Sequence, residues 1–357
     1  MQLLLAGTKK GLFIFSSNDR EHWQLHGPFL AGKEVHHAVR DPRTGRIFAT
    51  SNDAWFGSEI AYSDDLGETW TMAKRGPSFT EESGLKLERI WHIEPAPASA
   101  PNVIYAGVAP AALFQSTDGG ETWSEITGLT SHPSRKFWHP GAGGLCLHSI
   151  QIDQANPNRI FVGISAVGVF LSEDGGLTWQ TRNRGTRAEF MPDKYPEFGQ
   201  CVHKLLKAPG QADLLFQQNH CGVYRSTNSG ESWEEITTGL PSDFGFPLVI
   251  HPREPDTIYV LPLKGAEFRC PPEGKLRVFR SRDGGQNWQP LTNGLPQEEA
   301  FPGILREGMT NDNATPVGVY FGTNTGKIYV STDEGDSWRV LAENLPPVFS
   351  VETGVSK

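Results

Sequence analysis

The stretch His148–Trp179, HSIQIDQANPNRIFVGISAVGVFLSEDGGLTW, ends in a box that returns along the chain. Read from Leu147, it gives three short β-rich segments (LHSIQI, RIFVGI and GVFLSE), then the box, then a fourth segment, TWQTR. Alternation and β-branched or aromatic content mark each segment as a strand. The box occurs as SDDLGETW (Ser63–Trp70), STDGGETW (Ser116–Trp123), SEDGGLTW (Ser172–Trp179), STNSGESW (Ser226–Trp233), SRDGGQNW (Ser281–Trp288) and STDEGDSW (Ser331–Trp338). A worn seventh copy, SSNDREHW (Ser16–Trp23), keeps Ser and Trp but lacks the Gly. The Trp residues that end successive boxes are 47, 53, 56, 54, 55 and 50 apart, a period that suits one four-stranded unit with its loops.

The chemistry of the box is that of a hairpin. The Asp carboxylate accepts from backbone N–H groups of the turn, and the Gly supplies a positive φ. The Ser/Thr hydroxyl closes the return strand, and the Trp ring is buried between neighbouring units. Asn228 and Asn287, which replace Asp and Thr in two copies, keep hydrogen-bonding capacity. A calcium-loop reading fails, because the run lacks a closing bidentate Glu.

The chain has 357 residues, with 39 Gly, 26 Pro and 10 Trp, a composition of many short strands and turns. A net charge of −9 disfavours nucleic acid and membrane surfaces as partners. The N-terminal MQLLLAGTKKGLF has neither the basic nor the apolar region of a signal peptide. Four Cys make no disulfide framework, so a reducing, cytoplasmic setting is expected.

The boxes resemble those of the BNR/Asp-box propellers, a superfamily that includes sialidases, sortilin-type receptor domains, xyloglucan-active glycosidases and a photosystem assembly factor. The resemblance implies an all-β, single seven-bladed β-propeller over residues 1–357. The closing blade would combine 1–27 with 346–357, the C-terminal strand joining the N-terminal ones. The other blades are expected near 33–74, 88–127, 144–183, 199–238, 244–293 and 300–342. Fold kinship of this kind leaves function open.

Aligning the units places His36, His92, His148 and His203 at one position near the start of the innermost strand, with Phe246 and Phe301 in the next two units. A ring of four imidazoles at the channel mouth, on the face away from the boxes, would suit a divalent transition metal such as Fe, Zn, Mn or Cu. Glu34, Glu94 and His220 are candidate catalytic or orienting groups, and the chemistry would be that of a hydrolase, lyase or oxidoreductase on a small molecule. Asp53, Trp55, Trp138, His139 and Arg187 lie in loops assigned to the same face and are candidate substrate contacts. The competing expectation is that the imidazoles simply hydrogen-bond neighbouring blades. Cys146 and Cys201 read as small core residues, and His37 and His251 as packed ones.

A sugar or another anionic substrate is the second reading. Asp53, Glu88, Glu94, Glu197 and Glu267 could supply a carboxylate pair, Trp55, Trp91 and Trp138 could stack on sugar rings, and Arg182, Arg184 and Arg187 could attract an anion. The Phe/Tyr-Arg-Ile-Pro motif of sialidases is absent, and seven units exceed the sialidase count of six, so sialidase activity is not expected. The third reading is a non-enzymatic disk that binds a protein through Phe137, Trp138 or Phe190.

Overall fold

The computed structural model describes residues 1–356. Its strands form seven four-stranded antiparallel sheets set in a ring, a seven-bladed β-propeller. In blade 1 the C-terminal strand Val348–Val355 is innermost and pairs with Gln2–Thr8, followed outward by Gly11–Ser17 and Gln24–Phe29. Blades 2 to 7 begin with the inner strands Ala38–Arg40, Arg89–Pro95, Leu147–Ile152, Val202–Lys207, Gly245–Ile250 and Met309–Asn311. One inner strand differs from expectation. Residues 301–305 form a loop, with Phe301 66% exposed, and the strand begins only at Met309. The Gly303 N–H is taken by the Asn324 side chain, which holds this segment off the sheet.

The core lies between the sheets. The second and third strands of blade 4, Ile160–Ile164 and Gly168–Ser172, are buried along their whole length, whereas the outermost, Gln180–Thr181, is not. Phe161, Val169 and Leu171 of blade 4 pack with Val202, Leu205, Leu215, Tyr224 and Trp233 of blade 5. Both faces of the middle strands are therefore removed from water, which is why these segments read as nearly continuous apolar runs.

The boxes work as their chemistry suggests. Ser172 Oγ donates to Asp174 Oδ1 at 2.8 Å and accepts from the Gly176 N–H at 2.8 Å. Asp174 also accepts from the Thr178 N–H at 2.9 Å and its hydroxyl at 2.6 Å. Gly176 (φ +98°) does more than turn the chain: a Cβ there would stand 2.5 Å from Ile126 Cγ2 of the preceding blade. Gly120 likewise makes room for Phe48, whose Cε1 would lie 2.4 Å away. In the worn copy Ser17 and Asp19 form the same bond at 3.0 Å, and Arg20 takes the left-handed conformation (φ +64°) in place of Gly.

Candidate functional site

The inner strands start at the rim opposite the boxes, and in blades 1 and 3 to 6 a β-bulge near the start decides which side chains share a level. In blades 4 and 5 the unpaired bulge residues are His148 and His203, followed by Ser149 and Lys204 back in register. In blade 3 the bulge residue is Trp91, so His92 stands one step further down the strand. In blade 2 the Thr50 N–H donates to the His37 carbonyl and Ala38 pairs with Ala49. His37 therefore shares the level of His92, and His36 that of Trp91. This corrects the expected ring: the four imidazoles do not meet at one point.

The upper level is an aromatic wall. His36 stacks on Phe349 (4.6 Å between centroids, 10°) and leans on Trp91 at 4.8 Å. Its Nε2 donates to Glu34 at 3.3 Å, while burial pushes its pKa down. His148 is satisfied by protein: Nε2 donates to the Val202 carbonyl at 2.9 Å, and Nδ1 lies 3.1 Å from Ser149 Oγ. Burial, reinforced by Arg306, keeps it well below its ordinary pKa. It is a packed core histidine, not an available ligand.

The lower level is ionic and closed. Lys204 and Glu307 form a buried ion pair. His92 lies between Glu94 (3.2 Å) and Glu307 (3.6 Å) and packs on His37, 4.2 Å between ring centroids. Burial opposes charge on His92, but Glu307 and Glu94 outweigh it and raise its pKa to about 9. Glu307 is held well below its ordinary value: burial pushes it up, and Lys204 and His92 more than offset that.

The opening lies beside blades 4 to 6. A cavity of about 190 Å³ is bounded by His203, His220, Cys201, Phe190, Arg269 and Arg306, with Gly141–Gly143 and Ser165 at its edge. All of these lie on the rim opposite the boxes, in blade-connecting loops, inner-strand starts and, for Ser165, His220 and Arg269, the connections between second and third strands. The Arg306 guanidinium sits 5.2 Å from the Phe246 ring centroid and 5.9 Å from that of Trp91. Its Nε is buried without a hydrogen-bond partner, and among the described residues no carboxylate pairs with it. Cys201, His203 and His220 offer ligand atoms all within 4.8 Å of one another. Burial pushes the Cys201 thiol up, but hydrogen bonding with His203 and His220 holds it well below its ordinary pKa.

Several sequence-predicted contacts lie elsewhere. Trp138 is buried and donates from Nε1 to Ser134 Oγ, so it is core and offers no sugar platform. Asp53 is bound by Lys33 at 2.8 Å and accepts from the Trp55 and Phe56 N–H groups; with Lys33 as the main cause, its pKa falls to about 2. Arg187 is committed to Glu235 at 3.0 Å and Asp243 at 3.5 Å. Trp55 and His139 are exposed but line no part of the cavity, and Glu34 and Glu94 bond to His36 and His92, which do not line it either. His220 and His203 do meet. Cys201, read as a core residue, joins them, whereas Cys146 is fully buried as expected of one. Arg306 and Arg269 were missed, since no motif marks them.

No family model matches the chain. It is 24% identical over 282 residues to a probable oligoxyloglucan-reducing end-specific xyloglucanase of Neosartorya fischeri, a match covering 70% of this chain and 32% of the relative. It is 28% identical over 323 residues to a Paenibacillus xyloglucanase (82% and 28%), and 27% identical over 195 residues to a Clostridium perfringens sialidase (52% and 46%). The chain thus spans about a third of the length of the xyloglucanases it matches. Among solved structures, the Niastella koreensis GH74 enzyme superimposes with a TM-score of 0.64 at 18% identity, over 94% of this chain and 51% of that one. YCF48 from Cyanidioschyzon merolae superimposes with a TM-score of 0.58 at 15% identity, over 88% and 87%.

Proposed function

We propose that this chain is a carbohydrate-directed propeller that seats one small, anionic sugar unit at the mouth of its channel. The names of the curated relatives, xyloglucanases and a sialidase, support the carbohydrate class. The observation that carries the ligand charge is Arg306, a guanidinium left without an anionic partner at the edge of an aromatic-walled cavity. Arginine presents a planar fork suited to a carboxylate, and Arg269 adds a second cation on the same wall. Phe190, Phe244 and Phe246 offer apolar faces to a ring. About 190 Å³ is less than the ~300 Å³ lower end of ordinary ligand pockets, which favours a single ring over an oligosaccharide.

Hydrolysis by two carboxylates needs an acid and a base beside the scissile bond. Among the described residues no Asp or Glu lines this cavity, so what it offers is recognition, together with His203, His220 and Cys201 as groups able to move protons. Calorimetry with glucuronate and glucose tests the reading. The uronate should bind at least about tenfold more tightly, and Arg306→Gln should remove that preference. Equal affinity for both sugars, unchanged in Arg306→Gln, sinks it. Turnover of aryl glucuronides over aryl glucosides would extend recognition to catalysis.

A further inference from the structure

We infer that Cys201, His203 and His220 form a three-ligand zinc site whose open position faces the channel-mouth cavity. The inference shares that cavity with the carbohydrate reading and is tested without any sugar, so the two fail separately.

The donors come from two adjoining segments of one blade. Cys201 and His203 straddle Val202 at the start of the inner strand, and His220 lies in the turn between Leu215–Asn219 and Gly222–Ser226. Main-chain bonding fixes this arrangement, because the His220 N–H donates to the Cys201 carbonyl at 2.9 Å. His203 Nδ1 lies 2.6 Å from the Gly245 carbonyl, which can only accept. The ring must donate there, so neutral His203 keeps an unprotonated Nε2, the tautomer a metal requires. His148 has no such free nitrogen.

Phe190 meets His220 edge-on at 5.1 Å, and Phe244 and Phe246 flank His203 at 5.2 and 4.5 Å. All three rings also line the cavity, so the site opens into a space with apolar walls. One thiolate and two imidazoles form a borderline-soft set that suits Zn²⁺ and disfavours Mn²⁺. Three protein ligands with a vacant fourth position is the pattern of zinc sites that bind water or substrate. Ligand atoms within 4.8 Å need modest side-chain rotation to reach metal distances of about 2.0–2.3 Å. The bound ion would carry net positive charge beside Arg306, so the vacant position would favour an anionic oxygen.

The second donor group, His37, His92 and Glu307, carries no such site. Glu307 is paired with Lys204, whose ammonium occupies the place a cation would take, and His92 is committed to carboxylates.

The test uses the whole chain, purified without immobilised nickel, stripped with chelator and titrated with Zn²⁺ against a chromogenic competitor. One equivalent should bind, and Cys201→Ser and His220→Ala should each weaken binding by at least about tenfold. Cobalt substitution should give a thiolate-to-metal charge-transfer absorption that Cys201→Ser abolishes, and zinc should protect Cys201 from alkylation. His148→Ala should bind as the parent does. Should His203→Ala fail to fold, the two partly exposed ligands decide the matter. Less than one equivalent at saturating zinc, or affinity unchanged in both Cys201→Ser and His220→Ala, overturns the inference.

Discussion

Lys204 and Glu307 meet across the channel, joining the inner strand of blade 5 to the segment entering blade 7 with both side chains out of water. Removing one partner strands the other charge in a low-dielectric interior, a loss of about 3–5 kcal/mol. Lys204→Met should therefore lower the denaturant midpoint strongly. Lys204→Met combined with Glu307→Leu should recover much of the loss. Additive destabilisation in the double variant would contradict this account.

His92 gives the fold a pH dependence of known sign. Its pKa is raised to about 9 in the folded chain, so its stabilisation is complete below the ordinary value near 6.5 and disappears as pH rises through 9. The shift corresponds to about 3 kcal/mol. Glu307, lowered in the fold, acts at the other end: its contribution is present above about 4.5 and is lost on acidification. Urea unfolding at pH 6 and pH 9.5 should show the alkaline loss, and His92→Gln should flatten it.

Box glycines can be tested as packing residues. Gly176→Ala puts a methyl group 2.5 Å from Ile126 Cγ2, whereas Gly32, also at positive φ (+87°), has nothing within 4 Å. Both substitutions strain the backbone, but only the first overpacks a blade seam, which adds about 1–3 kcal/mol. Ile126→Ala should relieve part of the Gly176→Ala penalty in a double-variant cycle. Equal losses for the two glycines would contradict the packing role.

The tryptophans separate cleanly. Trp138→Ala should cost about 3–5 kcal/mol of stability by emptying a core position. Trp55, 91% exposed, should tolerate Ala within about 0.5 kcal/mol. Thermal melts of the two single variants decide the matter.

The repeat was legible because the same local chemistry, Ser to Asp (Asn228 in one copy) to Gly to Trp, is written six times, and even Arg20 preserves the turn without glycine. The site was legible only in part. Trp91, His148 and His203 are equivalent bulge residues, but the turn from Pro95 to Ile104 is one residue longer than that from Ile152 to Ile160, so alignment on the turn brings His92 rather than Trp91 level with His148. Cys201 looked like a core residue because nothing local announces that His220, from another strand, turns toward it. Arg306 directly follows residues 301–305, an expected strand that is instead a loop in which the Gly303 N–H bonds to Asn324.

The ring is fastened between its two ends, with Val348–Val355 laid against Gln2–Thr8 and the Met1 amine donating to the Ser356 carbonyl at 2.9 Å. Gln2–Thr8 therefore cannot find its inner neighbour until Val348–Val355 has left the ribosome. Until then a row of unpaired amides stays open to other nascent chains. Linking the two ends and cutting the backbone at an exposed blade connection should shorten that wait and improve yield on refolding.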